Sequence, residues 1–142
     1  MTARTVTVVV LGVLVTLGGL MLLRPGARAQ RGARVGQRAP EITGAPWINS
    51  DPLSLEKLRG RVVFVEFWEK PYEKVVAAVK KFGIRYAVVQ DNDSALWKRF
   101  GIWAWPTAIL VDKKGIVRYH HIGEGAYEET EAAIGRLLAE GG

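Results

Sequence analysis

Eighteen consecutive positions, VTVVVLGVLVTLGGLMLL (Val6–Leu23), carry no charge, and the pattern of the chain changes completely after them. As a helix rising about 1.5 Å per residue, the run would span roughly 27 Å, close to the hydrocarbon thickness of a bilayer. It is apolar all round, which a half-buried core helix is not. The pattern therefore predicts an N-terminal transmembrane helix over 6–23, acting within residues 1–23 as a signal anchor or signal peptide. The next stretch, RPGARAQRGARVGQR (24–38), has almost no large apolar residue and reads as a flexible linker. A globular domain is predicted for 39–142.

Within that domain the periodicity alternates between strand and helix. In SLEKLRG, Ser54 is placed to cap a short helix that Gly60 ends. Arg61–Trp68 is nearly continuous in Val and Phe, as in a central strand covered on both faces. A helix follows: Pro71 suits its first turn, Glu69 and Glu73 its electropositive end, Lys80 and Lys81 its other end, and Gly83 its stop. Val75, Val76, Val79 and Phe82 fall on one face of it. Tyr86–Gln90 is a short apolar strand, and DNDS (91–94) a turn that caps a helix over Ala95–Phe100. Ala108–Val111 and Ile116–His121 form a hairpin around Asp112–Gly115. Tyr127–Ala139 closes as an amphipathic helix with Ile134, Leu137 and Leu138 facing inward.

The net charge of +6 changes little once it is mapped. Arg4, Arg24, Arg28, Arg31, Arg34 and Arg38 account for all of it, and 39–142 is neutral, with 14 basic and 14 acidic residues. The basic cluster flanks the apolar run, where it suits anionic lipid headgroups, and no nucleic-acid partner is expected. Its position after the run favours a cytoplasmic domain by the positive-inside rule. Ala27-Arg28-Ala29 points the other way, as a small-x-small cleavage site implying export. The absence of cysteine fits either compartment.

Three stretches carry a family resemblance. WINSDPLSLEKLRGRVVFVEFW (47–68) is similar to the entry segment of extracytoplasmic redoxins of the TlpA-like and DipZ-like kind. FGIRYAVVQDND (82–93) and FGIWAWPTAILVDKKGIVRYHHIGEGAYEE (100–129) resemble their later segments, with Trp105-Pro106-Thr107 on the cis-proline motif. The resemblance implies a thioredoxin-like α/β fold of three αβα layers with a mixed sheet, here truncated and behind the N-terminal helix. It also favours an extracytoplasmic, periplasmic-side location. In such proteins a Cys-x-x-Cys helix and a second parallel strand follow the Phe-Trp strand end. Here Trp68 runs almost directly into the later helix, as though that unit had been deleted as a block. The later helix and the Tyr86–Gln90 strand are then expected to substitute for the lost pair and rebuild a right-handed βαβ unit. The alternative is a three-stranded remnant with an exposed edge.

Glu66 matches the family's buried acid, which assists proton movement at the cysteine pair. Without a thiol it reads as a relic, an edge residue, or an acid-base group of another kind. Trp103, Ala104, Trp105, Pro106 and Thr107 match the loop that pairs with extended peptide substrates. The same tryptophans could instead simply pack on the helix containing Trp97. His120 and His121, with Glu124 and Glu128 nearby, raise a metal site, but the two histidines are adjacent on a strand and point to opposite faces, which disfavours a shared ion. No cofactor or metal is expected, and thiol-disulfide exchange is not, since the thiolate is the nucleophile in that chemistry. The expectation is a redox-inactive, membrane-tethered module that contacts a peptide or protein partner. A truncated copy of an oxidoreductase and a cysteine-independent enzyme using Glu66 or His120 are the alternatives.

Overall fold

A computed structural model describes residues 6–13, 33–69 and 72–141. Its elements run β1 (Val6–Val13), β2 (Trp47–Ile48), β3 (Val62–Glu69), α1 (Tyr72–Lys81), β4 (Ala87–Asp91), α2 (Ala95–Phe100), β5 (Thr107–Val111), β6 (Val117–Ile122) and α3 (Tyr127–Ala139). The strands form one mixed sheet in the order β2-β4-β1-β3-β5-β6. β1 is parallel to both β3 and β4, while β5 is antiparallel to β3 and to β6.

Alternation along β3 builds the layers. Val63, Val65 and Phe67 point to one face, where they pack with Leu96 and Phe100 of α2 and with Leu55 and Leu58. The Phe67 and Phe100 rings meet at 5.2 Å. On the other face Val62 packs with Ala133 and Leu137 of α3, and Trp68 with Val75 and Val79 of α1. The result is the three-layer αβα arrangement with a mixed sheet that the thioredoxin-like resemblance implies.

One expectation about the sheet is corrected. β3, α1 and β4 do form a crossover between parallel strands, but the Tyr86–Gln90 strand does not take the place of the lost strand, because β1 lies between β3 and β4. A five-residue strand and one helix supply a crossover but not a second inner strand, and the inward backbone groups of β3 need one. The apolar N-terminal run also enters the sheet. Val6–Val13, expected to open a transmembrane helix, is a central strand here, paired through eight residues with β3 and five with β4. Residues 14–23, the Ala27–Ala29 site, the linker as far as Gly32, and Pro71 lie outside the described residues. Among those described, no helix is long and apolar enough to cross a membrane.

Local signals fared well. The hairpin turn is held by Asp112, whose carboxylate accepts the Lys114 and Ile116 amides at 2.9 Å each, with Gly115 at φ +76°. Ser54 accepts the Lys57 amide at 3.2 Å, but 55–60 is a run of turns instead of a helix. Glu41 gives this segment more support, accepting the amides of Leu55 and Glu56. α1 stops at Gly83, φ +60°, yet only Val75 and Val79 of its expected apolar face are buried. Val76 and Phe82 are exposed, because the sheet beneath this short helix covers a single i, i+4 row. On α3, Leu137 is buried as expected, with Ala133 beside it and Ile134 and Leu138 half-buried.

Candidate functional site

The parallel strands end on the same side of the sheet as the loop that enters β5. Phe67 pairs with Thr107, so Trp68 leaves the ladder opposite the Trp103–Pro106 loop. The Trp105–Pro106 peptide bond is cis. The loop is tied from two sides: Gly123 N–H donates to the Pro106 carbonyl at 2.8 Å, and the Thr107 hydroxyl to the Ala104 carbonyl at 2.8 Å. No described residue pairs with the backbone groups of Trp103 or Trp105.

The two loop tryptophans divide between the two roles open to them. Trp105 stacks on Trp97 of α2 with ring centroids 4.5 Å apart, and its buried indole N–H has no partner among the described residues. Trp103 is 74% exposed. Packing on the Trp97 helix therefore holds for Trp105, while Trp103 is left as an outward-facing apolar surface.

The helix under this stack is positioned by an acid. Asp91, the last residue of β4, accepts the Leu96 amide at 2.9 Å and the Trp97 amide at 2.7 Å. Ser94 of the DNDS turn makes no side-chain cap. Asp91 is buried, and burial pushes its carboxyl above the ordinary range against the pull of these two bonds. The DNDS turn thus caps α2 as its residues predict, through Asp91 and through Asp93, which accepts the Ala95 amide at 3.1 Å, and not through Ser94.

Glu66 lies in the middle of β3, flanked by β1 and β5, so it is not an edge residue. Its register neighbour on β5 is Ala108, which pairs in turn with His121 on β6. Glu66, Ala108 and His121 thus form a row on the α1 and α3 face of the sheet. Burial, then the charge of Glu124, holds the Glu66 carboxyl above its ordinary value. Burial and the charge of Glu66 together raise the Tyr86 phenol. The His121 Nε2 is buried and has no partner among the described residues. His120 is on the opposite face beside Ile109, and burial followed by the neighbouring His121 pushes its pKa down. Among the described residues, no three His, Cys, Asp or Glu side chains gather as a metal-ligand set. Only the strand order brings Tyr86 and Glu124 to Glu66, so neither is legible in the sequence as its neighbour.

This environment sets a pH dependence. With its folded pKa raised, Glu66 holds a proton more readily in the native state than in the unfolded chain. Its contribution to stability is full below the unfolded value and is lost as pH rises through the folded one. Glu66→Gln should therefore stabilise the domain at neutral pH by a few tenths to about 1 kcal/mol, a range that allows for partial solvent screening. The advantage should vanish in acid; urea midpoints measured across the titration check this, and a variant less stable at neutral pH would contradict it.

Comparison with known proteins supports this description. No sequence-family profile matches the chain. It is 30% identical to the protein DipZ of Mycobacterium bovis, over an alignment of 142 positions that engages 70% of this chain and 20% of DipZ. Seventy per cent of this chain is about 99 residues, so about 40 aligned positions of DipZ have no counterpart here, enough for a helix and a strand. The thiol:disulfide interchange protein DsbE of Xylella fastidiosa is 32% identical over 74 residues, which is 51% of this chain and 38% of DsbE. The chain thus spans about a fifth of DipZ and well under half of DsbE. Among solved structures, a DsbE-type protein from Chlorobium tepidum superposes with a TM-score of 0.66 at 17% identity, covering 76% of this chain and all of that one. With its layers, its mixed sheet and its cis-proline loop in place, the chain has a thioredoxin-like fold and is similar in sequence, without any cysteine, to parts of DipZ and DsbE.

Proposed function

We propose that this domain is a redox-inactive binding module that receives an extended peptide, or an extended segment of a protein partner, at Trp103–Thr107. One observation carries the reading: the exposed Trp103 stands beside backbone groups of Trp103 and Trp105 that no described residue uses. An extended chain can satisfy such groups by strand-like pairing while its side chains cover the indole, and this needs no covalent chemistry. Thiol exchange is outside its means, since the chain has no cysteine. Binding is expected to be weak, because no mixed disulfide can hold the ligand.

Titration with unfolded, cysteine-free peptides followed by amide shifts tests the reading. Shifts should be confined to the loop and its neighbours, and Trp103→Ala should weaken binding by roughly 1–3 kcal/mol. Trp103 is the informative position because Trp105 also supports α2. Absence of binding at millimolar peptide would leave the truncated oxidoreductase copy as the better reading, which the unmatched DipZ positions also favour. Acceleration of insulin reduction by dithiothreitol would overturn redox inactivity.

A membrane tether over Val6–Leu23 and a domain on the extracytoplasmic side belong to the same proposal. The 18-residue uncharged run supports the tether, and the likeness to extracytoplasmic redoxins supports the side. The tether competes directly with β1 for the same residues.

A further inference from the structure

β1 occupies a position that the rest of the sheet defines. Its register is continuous with β3 from Val6↔Val62 to Val13↔Glu69 and with β4 from Val9↔Ala87 to Val13↔Asp91, parallel on both sides. Without it, β3 and β4 stand two strand spacings apart, about 10 Å, too far to bond to each other. Their facing N–H and C=O groups would then be a column of unpaired donors and acceptors in the middle of a covered sheet. The gap has a fixed length, direction and register. A suitable occupant is an extended segment of about eight residues that is apolar on both faces and contains no proline.

Val6–Val13 meets these requirements with six β-branched residues in eight and no charge. The same residues open the 18-residue run that is long enough, as a helix, to cross most of a bilayer. Both environments satisfy the backbone, one through neighbouring strands and the other through intrahelical bonds. A residue cannot take part in both. The 19 residues from Leu14 to Gly32 can extend over roughly 65 Å, so the connection to Ala33 bars neither state. Ala33 itself is fixed to the domain by its N–H bond to the Phe100 carbonyl, 2.8 Å.

We propose that the sheet position between β3 and β4 is a strand-binding site whose occupant is this chain's own Val6–Val13, and that insertion of this segment into a bilayer empties it. Sheet completion and membrane insertion exclude each other. The chain carries its own sheet-completing strand in the segment that would otherwise anchor it.

The absence of native cysteine makes a paired-cysteine test clean. In the full chain, Val10→Cys with Val88→Cys joins register partners of β1 and β4, and Thr7→Cys with Val88→Cys is an off-register control. In vesicle-free buffer, oxidation should close an intramolecular disulfide in the first pair and not in the control. Adding phosphatidylcholine–phosphatidylglycerol vesicles before oxidation should lower the yield by about tenfold or more, the scale of a two-state shift. Protein oxidised beforehand should no longer sediment with the vesicles. The proposal is overturned by no disulfide in buffer, by a dimer-sized product showing that a second copy supplies the strand, by a reduced chain that ignores vesicles, or by a disulfide formed equally well in vesicle-bound chain. Should the cysteine pair fail to fold, hydrogen exchange on the unaltered chain decides. The amides of Val62–Glu69 and Ala87–Asp91 should be protected in buffer and lose protection on vesicles, and protection kept by vesicle-bound chain overturns the exclusion.

Discussion

Phe67→Ala should cost about 3–5 kcal/mol of unfolding free energy, the range for deleting a fully buried aromatic ring. Phe67 has no solvent exposure and packs against Phe100 between the sheet and α2. It is also the β3 residue that pairs with Thr107, so the ring supports the strand end from which the Trp103–Pro106 loop departs. Total stability for a domain of this size is about 5–15 kcal/mol, so the loss is a large fraction of the whole. Chemical denaturation monitored by tryptophan fluorescence measures the loss. Loss of peptide binding in this variant should follow the unfolded fraction. A Phe67→Ala protein with near-native stability would contradict the tight packing of this ring between the sheet and α2.

Asp91→Ala is the second large effect expected, at about 1–3 kcal/mol, because it leaves the Leu96 and Trp97 amides without their acceptor at a largely buried helix end. α2 has six residues and little helical stability of its own, so its first turn depends on this carboxylate. The damage should reach the loop, because Trp97 is the platform for Trp105. Asp91→Asn keeps one acceptor and should lose less. The pH response has a definite sign. Burial raises the folded pKa above the ordinary 3.8, and the nearby Asp93 adds to this against the two amide bonds. Native chain then binds the proton more readily than unfolded chain, and stability from this group is lost as pH rises through the folded value. Asp91→Asn should lack that slope. Thermal unfolding of wild type and variant across the acid range compares the two, and parallel curves would refute the assignment.

Much of the candidate loop was legible because its signals are short-range. Trp105-Pro106-Thr107 announces itself as a motif, and Asp112 with Gly115 specifies the hairpin that brings Gly123 to the Pro106 carbonyl. The division of labour between Trp103 and Trp105 was not legible. Two aromatic residues separated by one alanine carry the same local information, and only the approach of α2 makes one a stacking partner and the other a surface. Glu66 was marked as unusual by an acid in an apolar run, but its partners Glu124 and Tyr86 come from distant segments whose adjacency depends on strand order.

From the sequence by itself come the alternation of strands and helices, the absence of thiol chemistry, the ends of α1 and the β5–β6 turn. These follow from residue type, capping and turn chemistry within a few positions of each site. Tertiary structure alone decided which strand lies beside β3. A Val-rich, uncharged segment satisfies its backbone equally well as a helix in lipid or as an inner strand between two others, so its periodicity cannot choose. The choice made here depends on β3 and β4 presenting a matching gap, and that gap exists only once α1 has carried the chain across the sheet and set β4 one strand too far away to close it.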